Sequence, residues 1–534
     1  MVDKIRILNE TRNQLITKES LDFIVQLHKR FNQKRLELLK ERIVIQSKIN
    51  SNAFKLERDA KSFEIRNDSS WRVGEIPELL RNRKVDIVCL DVANKKTLIE
   101  CLKSGANGIQ VDFDDGYSPS WSNNLQSQLN LYEIVHDGKY SGKECPLLLM
   151  RPRSLNLDEF HLLVNGQSLS GAFFDLGLYL FWNGKTLLEQ KRGPFFYLPK
   201  LENYQEALLY RDILAFCEDY LKFPSGSIKV IVLIENILAS YQMEEMIYAL
   251  KDNIVALNTG RWDYIFSFVK KFSASSEYIL PAKSSLGLDQ PFLESYYRLV
   301  VSISHKRGCL ATGGMSPQYP SNGRLELTEK EKLTVYNGKK TEALMGFDGA
   351  LVAHASAVEQ CRKAFDSVIG QQLDNSQCQG VKQSKITYGF DPVLNQKYFN
   401  MLSIAPKGFP VCENDVKDCV YALYKYIYYW IQGKGAVEMN GIIEDLASIE
   451  INRALLWKWL SESVILKEGI PFTFKCLLIH FQNLEKEFNP LNINHQQIQF
   501  LIELFLTSRD FIDFMPTVLY PILCQNSIKL TSSL

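Results

Sequence analysis

Apolar positions along the chain follow two rhythms. Over residues 1–80, Leu21, Ile24, Val25, Leu27, Phe31, Leu36 and Leu39 recur at helical spacing among Lys, Arg and Glu, as on an amphipathic helix. This stretch shows no chemistry and reads as a helical packing domain. From about residue 84 short apolar runs alternate with helical stretches. The runs are KVDIVCL (84–90), GIQVDFD (108–114), PLLLMRP (146–152), PFFYLPK (194–200), IKVIVLIE (228–235), IVALNTG (254–260), GCLATGG (308–314) and GALVAH (349–354). Continuous apolar runs suit parallel strands covered on both faces. Segments such as Leu98–Ser104 and Ser240–Lys251 supply helices between them. Eight such units over residues 81–365 predict an α/β fold, a (β/α)8 TIM barrel. A doubly wound open sheet shares the alternation, and the count of eight argues for closure. Residues 366–392, polar and Gln/Ser-rich, read as a linker, and residues 393–534 read as a C-terminal helical domain. Its aromatic stretches KDCVYALYKYIYYWI and NRALLWKWL are read as core.

Polar residues fall at the ends of the apolar runs: Asp112 and Asp114, Arg151, Lys200 with Glu202, Glu235, Gly260 with Asp263, and His354. In a barrel these ends open on one face, where βα loops build the active site. Glu235 and Asp263 lie one strand–helix unit apart, on neighbouring strand ends. Two hard carboxylates so placed suit Mg²⁺, which keeps waters and takes substrate oxygens. A salt bridge for Glu235 and a helix cap for Asp263 are the plain alternatives. Asn258-Thr259-Gly260-Arg261-Trp262-Asp263 leads into the helical run YIFSFVKKF. A glycine at a helix start admits a ligand closely, and the N–H groups there favour an anion such as a small carboxylate; an ordinary strand-to-helix turn would look the same. Arg151 could hold a developing oxyanion or form a structural ion pair. Asp445, in GIIEDLASIEINRALLWKWL, reads from spacing alone as a solvated helical carboxylate.

Composition narrows the class. The chain has 534 residues, 46% of them hydrophobic, and a formal net charge of +1. That is material for two or three domains, and the charge gives no sign of a nucleic-acid binder. No uncharged run reaches the roughly 18 residues of a membrane span, and no secretory h-region opens the chain. The eleven Cys include no C-x-x-C pair, so metal-finger spacing is absent, and without a secretory signal or membrane span the thiols are expected reduced, in a cytosolic or organellar (peroxisomal) matrix. Ser532-Ser533-Leu534 resembles a Ser-Lys-Leu address without its basic residue.

The segments GPFFYLPKLE, IKVIVLIENILASYQMEEMIYAL and LNTGRWDYIFSFVKKF, with DFDDGYSPSW, SHKRGCLATGGM and IEDLASIEINR, resemble the malate synthase family of the shorter, A type. The ordered matches run from about residue 60 to about 460. The resemblance implies a barrel with an N-terminal helical clasp and a C-terminal helical plug over its mouth. It implies condensation of acetyl-CoA with glyoxylate, Mg²⁺ at Glu235 and Asp263, and glyoxylate at Gly260, Arg261 and Trp262. It also implies Arg151 as the enolate-stabilising arginine, Asp445 as catalytic base, and Pro317 beside acetyl-CoA. Several segments depart from the family. Arg151-Pro152-Arg153 is followed by Ser154-Leu155-Asn156 where the family reads Gly-Trp-His, and Gly313-Gly314-Met315 by Ser316-Pro317-Gln318-Tyr319-Pro320 where it reads Ala-Ala-Gln-Ile-Pro. Both altered segments are expected along the acyl-CoA path. A catalytically weakened paralogue acting as a binding protein and a malyl-CoA lyase-like enzyme remain alternatives, and a homo-oligomer remains open.

Overall fold

The computed structural model describes residues 5–8, 13–371, 392–406, 410–488 and 495–531. Most of the expected linker and the Ser532–Leu534 tail lie outside the described residues. All eight expected strands form. In chain order the strands are β1 (Ile5–Ile7), β2 (Val85–Cys89), β3 (Gly108–Asp112), β4 (Leu147–Arg151), β5 (Asp158–Val164), β6 (Gln167–Ser170), β7 (Phe195–Leu198), β8 (Lys229–Ile234), β9 (Ile254–Thr259), β10 (Leu310–Ser316), β11 (Gly349–Val352), β12 (Val437–Met439) and β13 (Ile442–Glu444). Strands β2, β3, β4, β7, β8, β9, β10 and β11 close into a parallel barrel.

The barrel strands are apolar on both faces because both faces are buried. Leu147 and Leu149 of β4, and Ile231 and Leu233 of β8, pack into the barrel interior with Phe195 and Tyr197. Their neighbours Leu148, Met150, Val230 and Val232 pack outward under the helices. Ile76 and Leu80, from the segment before β2, join the interior cluster. The N-terminal region is helical over Lys18–Asn50. That helix buries Phe23, Ile24 and Leu27 and is pinned by two arginines. Arg35 pairs with Asp158 at 2.6 Å, and Arg42 grips Glu206 through Nε (2.7 Å) and Nη2 (2.8 Å).

Two β-hairpins depart from the sequence expectation. The β5–β6 hairpin follows β4 and takes β1 as its third strand. The β12–β13 hairpin interrupts the region expected to be wholly helical. Both turn at Asn-Gly: Asn165 and Gly166 have φ of 51° and 85°, and Asn440 and Gly441 have φ of 54° and 82°. Positive φ at both central residues belongs to the tight turn whose twist matches paired strands. Helices Glu413–Trp430, Leu446–Ser461 and His495–Thr507 carry the rest of the C-terminal region. No disulfide forms among the ten described cysteines, and no described helix is long and apolar enough to cross a membrane.

Gly349 opens β11 against the backbone of Arg83 and Lys84, with no room for a side chain. A Cβ there would land on the Arg83 carbonyl, and even Lys84 N would be only 2.9 Å away. Backbone on both sides makes relief costly. Gly349→Ala is expected to destabilise the protein by at least about 2 kcal/mol. A thermal midpoint within about 2 °C of the parent would contradict this account of closure.

Candidate active site

All parallel strands of a barrel point the same way, so their C-terminal ends converge. At that face Asp115, three residues past β3, joins Glu235 after β8 and Asp263 after β9. One carboxylate oxygen from each lies within 4.8 Å of the others, and all three residues are buried. A compact, buried, all-oxygen donor set fits a hard divalent cation such as Mg²⁺. The sequence reading placed Glu235 and Asp263 together but passed over Asp115. It singled out Asp112 and Asp114 instead, and both have other partners. Asp112 is held by Arg151 through Nε (2.7 Å) and Nη2 (2.6 Å). Asp114 Oδ1 accepts the Ser154 N–H at 2.9 Å. Only the loop path beyond β3 decides which acid of the run faces the centre.

Arg151 also donates to Asp115 at 2.8 Å and lies 4.0 Å from Glu235. Lys200 Nζ sits among Asp115 (2.6 Å), Asp114 (2.9 Å) and Asp263 (3.0 Å). Burial opposes the charge of Lys200, yet the acids around it raise its pKa well above the ordinary lysine value. Burial pushes Glu235 up to about 7, with Lys200 pulling against it and Asp115 adding to it. Burial and the Asp115 charge raise Asp263 as well. Burial acts the same way on Asp115, but Lys200 and Arg151 outweigh it and hold that carboxyl low. Like charges packed this closely favour a bound cation.

The turn after β9 starts the helix Arg261–Lys271, with Gly260 at its N-cap and no side chain capping it. A Cβ on Gly260 would fall 2.6 Å from Glu235 Oε1, so glycine is required for the two segments to meet. The Gly260 N–H is not available to a ligand: it donates to the Tyr296 hydroxyl at 3.1 Å. The N–H groups of Arg261, Trp262 and Asp263 begin the helix and have no intrahelical acceptor.

Asp445 comes from the C-terminal region. Spacing suggested a solvated carboxylate; the structure buries it at 8% exposure. The β12–β13 hairpin pairs with the segment beyond β10: Ile443 N–H donates to the Pro317 carbonyl (2.8 Å), and Tyr319 N–H to the Gly441 carbonyl (2.9 Å). Leu446 N–H then donates to the Asp115 carbonyl at 3.0 Å. Asp445 caps the helix Leu446–Ser461, its Oδ1 accepting the Ser448 N–H at 3.1 Å. Burial and the Asp115 charge push it up to about 7, against the Ser448 hydrogen bond and Arg151. Neighbouring Glu444 is committed elsewhere, taking Lys283 Nζ on both oxygens at 2.8 and 2.7 Å.

Arg151, Glu235, Asp263 and Asp445 line one cavity of about 290 Å³. Gly260, Arg261, Trp262 and Pro317 line it too. A second cavity of about 330 Å³ adjoins it, sharing Val88 and Ile443 and lined by Leu90, Tyr319 and His354. Ser316, Pro317 and Gln318 face the first and Tyr319 the second. The other altered segment is elsewhere. Ser154 and Leu155 are buried under the clasp, where the Leu155 carbonyl accepts Arg35 at 2.5 Å. Asn156 lines a small crevice on the other side of the acidic centre, with Arg42, Lys200, Glu235 and Asp263.

Fold and site together define a (β/α)8-barrel enzyme with a polycarboxylate centre beneath a helical cover. Three family models match the chain: "Malate synthase, N-terminal domain" over residues 2–55, "Malate synthase, TIM barrel domain" over 147–389 and "Malate synthase, C-terminal" over 411–523. The malate synthase of Dictyostelium discoideum is 32% identical, covering 96% of each chain. Malate synthase A of Escherichia coli is 32% identical, covering 95% of each. The bifunctional glyoxylate cycle protein of Caenorhabditis elegans is 35% identical over 85% of this chain, which spans 47% of that protein. The chain belongs to the malate synthase family.

A carboxylate with a raised folded pKa holds a proton that the unfolded chain has already released. For Asp445 that window runs from the ordinary 3.8 to about 7, and stability falls as pH rises through it. Asp445→Asn keeps a capping side chain and removes the charge. In metal-free buffer it is expected to be more stable than the parent near pH 8, by roughly 1–3 kcal/mol, with the gap closing toward about pH 4. Thermal unfolding across this range checks it; a gap that does not change with pH would refute the buried-charge account.

Proposed function

We propose that this protein condenses acetyl-CoA with glyoxylate and hydrolyses the product to malate and CoA. The observation that carries this reading is one cavity with a cation-type carboxylate set on its barrel side and a buried carboxylate of near-neutral pKa, Asp445, on its cover. Asp115, Glu235 and Asp263 would hold Mg²⁺, which when bound supplies a Lewis acid for the glyoxylate aldehyde. The N–H groups of Arg261–Asp263 orient the glyoxylate carboxylate at the helix start. Asp445 takes a proton from the acetyl methyl group, and a pKa of about 7 suits that task near neutral pH. Its Oδ1 is engaged in the helix cap, which assigns the proton to Oδ2. Arg151 stabilises the enolate oxygen, a charge present only along the reaction path. The enolate carbon then bonds to the aldehyde carbon, and water cleaves the thioester, releasing CoA as thiol. Acetyl-CoA runs from the first cavity past Ile443 into the second, where Tyr319 and His354 meet edge to face at 5.0 Å.

The defining assay is thiol release from acetyl-CoA plus glyoxylate. It is expected to need Mg²⁺ and to stop when a chelator is added. Asp445→Asn is expected to lower kcat by at least about 10²-fold while glyoxylate still binds; near-normal turnover would remove Asp445 as the base. Tyr319→Ala is expected to raise the acetyl-CoA KM about tenfold and leave the glyoxylate KM within about twofold, the scale of one aromatic stacking contact. Equal changes in both constants would displace acetyl-CoA from the second cavity.

A further inference from the structure

Lys200 has no part in the chemistry proposed above, yet it occupies the middle of the acidic centre. Its ammonium reaches carboxylates that follow two barrel strands far apart in the ring, Asp115 after β3 at 2.6 Å and Asp263 after β9 at 3.0 Å, and Asp114 at 2.9 Å. Its backbone is held just as firmly. Lys200 has φ of 56°, a left-handed conformation that is strained for a residue with a Cβ. Its N–H donates to Glu235 Oε2 at 3.0 Å, and its carbonyl accepts Arg42 Nη2 at 2.9 Å from the N-terminal helix. Such strain persists only where the surroundings over-determine it. The side chain is 7% exposed and packs 5.6 Å from the centre of the Phe514 ring.

We propose that Lys200 is an internal counter-cation of the metal centre: its ammonium holds Asp115 and Asp263 together in the metal-free protein and competes with the divalent cation for the same oxygens. The inference rests on the metal reading above. Two of the three oxygens that make up the donor set come from residues already paired with Lys200. A divalent cation entering there must take over those carboxylates from the ammonium or lie against it. Either way the lysine charge opposes metal binding, while in its absence the acids would repel one another. Lys200 thus trades metal affinity for an ordered empty site.

The test is Mg²⁺ titration of the full-length protein by calorimetry at about pH 8. Thermal unfolding in chelator supplies a second readout that does not depend on activity. Lys200→Met is expected to lower the metal-free midpoint and to bind Mg²⁺ at least about tenfold more tightly. Its midpoint should also rise further with Mg²⁺ than the parent's. Lys200→Arg, which keeps the charge, is expected to stay within about threefold of the parent affinity. Should the Met variant fail to fold without metal, Lys200→Gln is titrated in its place, with the same tightening expected. A folded Met or Gln variant that binds Mg²⁺ no more tightly than the parent overturns the proposal. A parent protein that binds no divalent cation overturns the metal reading and this inference together.

Discussion

Everything at the barrel mouth follows from the cost of burying negative charge. Asp112, Asp114, Asp115, Glu235, Asp263 and Asp445 are all buried there, against the buried cations Arg151 and Lys200. Buried carboxylates need partners or they take up protons. The site uses both answers. Arg151 saturates Asp112 and reaches Asp115, Lys200 ties Asp114, Asp115 and Asp263, and Glu235 and Asp445 move toward neutrality at about 7. What remains is an excess of oxygen donors in a small space, a stable arrangement chiefly with a cation present.

That constraint explains why three separate parts of the chain are locked onto the mouth. The N-terminal helix sends Arg42 to the Lys200 carbonyl and to Glu206. The β12–β13 hairpin lies against Pro317 and Tyr319, and the residue after Asp445 hydrogen-bonds to the Asp115 carbonyl. The helix that Asp445 begins packs along the helix that carries Asp263. Backbone hydrogen bonds of this kind place a carboxylate more accurately than a flexible lid could. They also keep water from the acids, which is what raises the Asp445 pKa. Position and acidity of Asp445 therefore have one structural cause.

The departures from the family pattern divide by where they fall. Ser316, Pro317, Gln318 and Tyr319 face the two adjoining cavities, so changes there reshape the cavity walls. Ser154, Leu155 and Asn156 line neither cavity; Ser154 and Leu155 are buried, and Asn156 lines a crevice against Lys200, Glu235 and Asp263. Ser154 N–H fixes Asp114, and the Leu155 carbonyl receives Arg35. Substitutions that looked equivalent along the chain thus differ in place: one set shapes the cavity wall, and the bonds of Ser154 and Leu155 in the other are made by backbone groups that any residue supplies.

By itself the sequence determined the barrel, because eight apolar runs of strand length encode burial on both faces, a local property. It also located Glu235, Asp263 and Arg151 at strand ends, since parallel closure turns chain position directly into one shared face. The Asn-Gly turns at 165–166 and 440–441 were equally legible as hairpin signals and went unread beside the stronger helical pattern around them. Other features belong to tertiary structure alone. Asp115 rather than Asp112 or Asp114 faces the centre because of how one loop bends. Gly260 gives its N–H to Tyr296, a partner 36 residues away. Asp445 looked like a solvated helical acid, and only resemblance raised it above that. Its burial, its raised pKa and its place opposite the carboxylates arise because a hairpin pairs with residues more than a hundred positions earlier, a contact between distant segments that no local pattern records.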